Sequence, residues 1–230
     1  MKTILLSAMM LGLAACSGHH RNSGNDDANM MEMSAWRVEL LNLTNDQPMS
    51  PPAAMLHDAG FDAWQVGQPA SEAIEVLAEG GDGSQIISLQ QGNPTFSAGT
   101  PLPAGQSLAF EIGSSDPAVD HLTVATMLVN TNDAFTGVTD LDLRDMQSGD
   151  ERIFLTPAYD AGTEFNDEAA AHIPGPAAGG EGFNPARNDV TSVVTHHAGV
   201  VSHDDGLADS ALSQSQRFDN PVLMIKITRL

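Results

Sequence analysis

Leu223-Met224-Ile225-Lys226-Ile227-Thr228 sets Leu223, Ile225 and Ile227 on one side of an extended backbone and Met224, Lys226 and Thr228 on the other. A period of two over six residues is the mark of a strand with one buried face. Trp36, Val38 and Leu40, alternating with Arg37 and Glu39, repeat the pattern near the other end of the chain and run into the turn Asn45-Asp46-Gln47-Pro48. The two runs are expected side by side, closing one domain. Between them lie further short strand-like runs: Ile86–Leu89, Leu108–Ile112, Leu122–Val129, Val138–Leu143, Arg152–Leu155 and Val190–Thr195. Gly, Pro, Asn and Asp punctuate them, as in Gly92-Asn93-Pro94 and Leu102-Pro103-Ala104-Gly105. Evenly spaced short strands with turn signals predict an all-β fold, an antiparallel sandwich with one or two short helices.

One helix is predicted over Ser71–Glu79. Ser71 can cap it, Glu72 and Glu75 suit the positive end of the helix dipole, and Gly80-Gly81 stops it. Its apolar face of Ile74, Leu77 and Ala78 is narrow, which predicts packing on a sheet edge. Met49–Ala59, with Pro51-Pro52, reads as an irregular edge. Gly179–Asp189 reads as a long loop.

Residues 1–15 read as a targeting segment, with Lys2 at its start and an apolar core from Ile4 to Leu13. Such a core is shorter than the roughly 20 residues that span a bilayer. Leu13-Ala14-Ala15-Cys16 resembles a bacterial lipoprotein cleavage box, which implies that Cys16 becomes the lipidated N-terminus. Cys16 is the single cysteine, so no disulfide holds the fold. Ser17 after it implies the outer membrane by analogy. Residues 16–34 read as a polar linker, and 35–230 as one domain. Loss of Lys2 leaves eight basic residues against 30 acidic ones, a formal net charge of about −22. Such a charge argues against nucleic acid and against docking on anionic headgroups, so the membrane is reached through the lipid only.

Chemistry concentrates in Tyr159-Asp160-Ala161-Gly162-Thr163-Glu164-Phe165-Asn166-Asp167-Glu168. Four carboxylates and an amide on a turning backbone are the hard oxygens that Ca²⁺ takes, six to eight of them at about 2.3–2.6 Å. Asp160 and Glu164 stand four apart, within reach of one turn. Thr131-Asn132-Asp133-Ala134-Phe135-Thr136-Gly137 reads as a second acidic turn that can add a ligand. The alternative is a solvated acidic loop. A zinc site at His197, His203 and Asp204 is a further candidate, whereas adjacent His196 and His197 point to opposite sides of a strand. Hydrolase signals are weak. No Gly-x-Ser-x-Gly elbow occurs, Asp140 and Asp142 read as the polar face of a strand, and two Trp and one Tyr are few for a glycosidase cleft.

Asn132–Gly137 followed by Tyr159–Glu164 resembles the signature of the spondin N-terminal domain family. That domain occurs in F-spondin and mindin of animal matrix and alone in bacterial secreted proteins. Leu43–Pro52, Ala70–Asp82 and His172-Ile173-Pro174-Gly175-Pro176 extend the resemblance from about Trp36 to Leu230. It implies a β-sandwich like the calcium-dependent lipid-binding domains, with calcium at one loop end held by Asp133, Asp160 and Glu164. Glu164 stands where the animal relatives carry Asp. The implied role is a lipid-anchored envelope binding or adhesion module, not an enzyme, whose partner is a protein or glycan. The alternative function is metal-dependent hydrolysis of envelope or extracellular polymers.

Overall fold

A computed structural model describes residues 33–186 and 192–230. The targeting segment, Cys16 and most of the linker lie outside the described residues, as do Val190 and Thr191 of one predicted strand.

The described residues form two antiparallel sheets. The first holds β1 (Ser34–Asn42), β4 (Ser107–Ser114), β7 (Glu151–Thr156) and β10 (Leu223–Arg229), in the order β4-β1-β10-β7. The second holds β2 (Ala53–His57), β3 (Thr95–Ser97), β5 (His121–Met127), β6 (Ala134–Asp142), β8 (Ala158–Asp160) and β9 (Thr195–His196), in the order β3-β2-β5-β6-β8-β9. The terminal strands pair as expected, with Val38 opposite Ile227 and Leu40 opposite Ile225. Trp36, Val38, Leu40, Phe110, Ile225 and Ile227 of the first sheet bury their alternate face against Ala54, Leu56, Leu122 and Val124 of the second. Each such side chain contributes roughly 1.5–3 kcal/mol by leaving water.

The second sheet is covered on its other face too. There α1 (Glu72–Gly80) and α2 (Ser84–Ser88) lay Ile74, Leu77, Ala78 and Ile86 over Met55, Ala125 and Phe135. This third layer explains why β2 and β5 are buried along their whole length. It also corrects the expected place of α1, which covers the sheet face rather than its edge. Its ends are as predicted: Ser71 Oγ accepts from the Ile74 N–H, and Gly81 takes the left-handed conformation that ends the helix.

Three other expectations are corrected. Met49–Ala59 contains a fully buried strand, because Pro51-Pro52 stand before β2 and cost it no ladder bond. Ile86–Leu89 is helical turn, not strand, started where Asp82 Oδ1 accepts from the Ser84 N–H at 2.8 Å. Ala134–Thr136 belongs to β6, so the acidic turn before it ends at Asp133. Among the described residues no helix is long and apolar enough to cross a membrane.

Candidate metal centre

Strand pairing brings the two acidic segments together. β6 runs beside β8 with Ala134 opposite Asp160, so Asp133, one residue before β6, lies next to the loop that leaves β8. That loop turns at Gly162, which has φ +70°; a Cβ there would sit 2.7 Å from the Val193 carbonyl oxygen. Glycine supplies both the left-handed turn and the close approach. Asp160 Oδ1 accepts from the Gly162 N–H at 2.8 Å, and Asp160 Oδ2 accepts from Asn166 Nδ2.

Asp133 is wholly buried. Its Oδ2 accepts the backbone N–H groups of Thr163 at 2.9 Å and Glu164 at 3.1 Å. Its backbone oxygen accepts from the Ala161 N–H at 3.2 Å. The carboxylate therefore staples the β5–β6 turn to the Gly162 loop. Its other oxygen, Oδ1, is enclosed and has no hydrogen-bond partner. Burial pushes the Asp133 carboxyl up to about 6; the nearby Asp160 charge adds to that, and the Thr163 and Glu164 N–H groups oppose it. Glu164 is also buried, and its own N–H is one of the two that hold Asp133.

The structure thus joins all three predicted residues in one backbone and carboxylate network. It does not gather their side chains into a ready cation cage: among the described residues, no three His, Cys, Asp or Glu side chains form a group able to hold a metal ion.

Two residues of the quoted stretches, Glu168 and Asn132, take roles here that the sequence did not assign. Glu168 is buried, with left-handed backbone at φ 49°. Its Oε1 accepts from the Val201 N–H at 3.0 Å, its Oε2 is enclosed without a partner, and burial raises its pKa. Asn132 holds the segment by accepting from the Glu168 N–H at 3.3 Å and donating to Asp167 Oδ1 at 3.1 Å. Nothing in the sequence separates the buried Glu168 from its exposed neighbour Asp167; only the packing against 200–212 does.

The histidines are engaged one by one. His197 is buried; Nδ1 accepts from the Gly199 N–H at 3.0 Å, and Nε2 is 3.2 Å from Asn166 Oδ1. That pattern assigns the neutral tautomer with its proton on Nε2, and burial lowers the pKa while Asp160 opposes the shift. His203 is exposed, with Asp204 at 3.4 Å, and among the described residues the candidate His197–His203–Asp204 trio does not form a metal group. His196 is exposed and stacks on Tyr159. Asp140 and Asp142 part company: Asp140 accepts from the Gly60 N–H, and the Arg144 guanidinium holds Asp142 well below the usual carboxylate range.

Neither a scan against protein-family models nor a search of curated proteins finds a match to this chain. The class that fold and site define is an acidic all-β sandwich whose β5–β6 turn and β8 loop are tied together by a buried aspartate.

Proposed function

We propose that the protein is a spondin-type, calcium-ordered binding or adhesion module of the cell envelope, tethered by lipid at Cys16. The observation that carries the reading is the enclosed, unpartnered Oδ1 of Asp133, in a carboxylate raised in pKa by burial and by Asp160. A buried carboxylate beside a second one is stabilised by a cation. The donors present are hard oxygens, which suit calcium, and a calcium shell draws on backbone carbonyls and water as well as carboxylates. Asp133 and Asp160 would hold the ion, Glu164 would complete the acidic set, and carbonyls of the same loops would fill the shell. The ion would supply the positive charge that these loops lack. The chain itself holds the loops in place through the Asp133 staple.

Hydrolysis is the weaker reading. A hydrolytic carboxyl must meet its substrate, and Asp133, the one raised to about 6, is fully enclosed. Metal analysis of the purified protein by mass spectrometry, before and after chelator, tests the calcium reading. About one calcium per chain, lost on chelation, is the expected result; calcium-free protein that also takes up none on dialysis would sink it.

A further inference from the structure

The outer face of the first sheet is divided. On one side Arg37, Glu39, Lys226 and Glu151 form a ladder of ion pairs, with Lys226 Nζ 2.8 Å from Glu151 and 3.5 Å from Glu39. On the other side the register aligns Leu155, Met224 and Leu41 in one row across β7, β10 and β1. Ile153 and Leu155 are each 60% exposed, at the edge of the sheet. Among the described residues β7 pairs with β10 only, so its far side presents free backbone N–H and C=O groups. An apolar, unpaired edge strand is a template for another strand.

Beside that free edge lies a cavity of about 300 Å³, lined by Trp64, Val138, Leu141, Phe154, Pro157 and Tyr159 among others. Among the described residues β8 pairs with Ala134–Thr136 of β6 and no further, so Val138 and Leu141 line the cavity instead. A strand added along β7 would send alternate side chains to the two sides. One set would meet Ile153 and Leu155, and the other would lie beside Phe154 at the cavity mouth. The occupant must therefore be apolar where it meets Ile153 and Leu155.

β7 itself offers that outer face in Ile153 and Leu155, with Phe154 between Arg152 and Thr156 on the other side. We propose that β7 is a self-association edge, which pairs antiparallel with β7 of a second copy about a two-fold axis. With Phe154 opposite Phe154 of the second copy, Ile153 meets Leu155 and Arg152 meets Thr156. No like charges face one another, whereas a register centred on Arg152 would oppose two cations. Charge favours this place on the molecule. The chain carries −21 overall, yet Glu39, Glu151, Arg152 and Lys226 cancel around the edge. The remaining repulsion is long-range and is screened by salt, with a Debye length of about 10 Å at 0.1 M and 3 Å at 1 M. Association of two copies therefore strengthens with salt; docking of a cationic partner on this acidic chain would weaken. The inference stands apart from the calcium reading.

Sedimentation velocity on the purified full chain tests it, across about 10–500 μM protein at low and at high salt. The mass is expected to move toward twice the monomer with concentration, more readily in high salt. Ile153→Lys with Leu155→Lys is expected to weaken association at least about tenfold. Both side chains are exposed, so circular dichroism should report an unchanged fold. Val66→Lys with Leu89→Lys alters two exposed apolar residues elsewhere and should leave association unchanged. A wild-type chain that stays monomeric throughout overturns the proposal and leaves the edge to another occupant. Association that survives the β7 double variant, or that the Val66/Leu89 variant weakens equally, overturns it as well.

Discussion

Asp133 Oδ2 accepts the backbone N–H of Thr163 at 2.9 Å, across 30 residues of chain. With the Glu164 N–H beside it, this bond sets the position of the whole β8 loop. Asp133→Ala would leave two N–H groups without their acceptor, at a cost of about 1–3 kcal/mol. Asp133→Asn keeps an acceptor oxygen and removes the charge that faces Asp160, so it should cost clearly less. Urea unfolding in the presence of chelator measures both. Equal loss in the two variants would mean that the charge, not the acceptor, holds the loop.

The same residue predicts a pH dependence. Its folded pKa of about 6 stands above the 3.8 of an unperturbed aspartate, so between these values the folded state binds the extra proton. Its contribution to stability therefore rises as pH falls through about 6 and levels off near 4. The span is at most about 3 kcal/mol, from 1.36 kcal/mol per pKa unit. Glu168 acts in the same direction. His197 acts in the other: its folded pKa lies below the unfolded value, so it costs stability as pH falls below about 6.5. The clean measurement is the difference between wild type and Asp133→Asn in chelator at pH 4 to 8. That difference should move in favour of wild type as pH falls; a flat difference would show that Asp133 titrates normally.

Much of this fold could be read from the sequence, because β1, β4 and β10 each bury one face and so alternate. The second sheet was harder. β2 and β5 are buried on both faces, so alternation vanishes, and Pro51-Pro52 disguised the start of β2. Ile86-Ile87 has strand-like composition, but the Asp82 side chain starts a helical turn there. For the site, the hard-oxygen types and the Gly162 turn were visible in sequence. The staple was not, since it pairs Asp133 with backbone N–H groups that carry no residue signature. Glu168 was hidden for a related reason, as its burial comes from residues more than 30 positions away.

Gly137 has no room for a side chain. It sits in β6 opposite Ala125, with φ +150°, and a Cβ there would stand 1.8 Å from the Val124 carbonyl oxygen. Backbone must move, so Gly137→Ala should cost about 3 kcal/mol or more. Thermal unfolding of this variant measures the loss. A melting temperature close to wild type would mean that β5 and β6 part more easily than their full burial implies.

The proposed anchor rests on Cys16. Cys16→Ser should leave the protein unprocessed or free of lipid. Membrane fractionation and the intact mass of the mature chain report this. If Cys16→Ser still fractionates with membranes at the wild-type mass, lipid at Cys16 is not what tethers the protein.

Calcium gives the sharpest prediction. A ligand that binds only the folded state stabilises it by RT ln(1 + [L]/Kd), about 2.7 kcal/mol at a hundredfold excess. With Kd near 10 μM, 1 mM calcium should raise the melting temperature by about 5–10 °C for a domain of this size. Asp160 should be required for that rise. It neighbours Asp133 through the β6–β8 pairing and raises the Asp133 pKa through its charge. Asp160→Ala should abolish the calcium response and leave the strand content intact. It also removes the acceptor of the Gly162 N–H, so its melting temperature in chelator should fall modestly below wild type. Calcium and protons should compete as well, because the ion favours the ionised form of Asp133. The calcium-induced rise should therefore shrink as pH drops below about 6. A melting temperature identical in excess calcium and in chelator at neutral pH would reduce these carboxylates to a loop staple and a solvated edge.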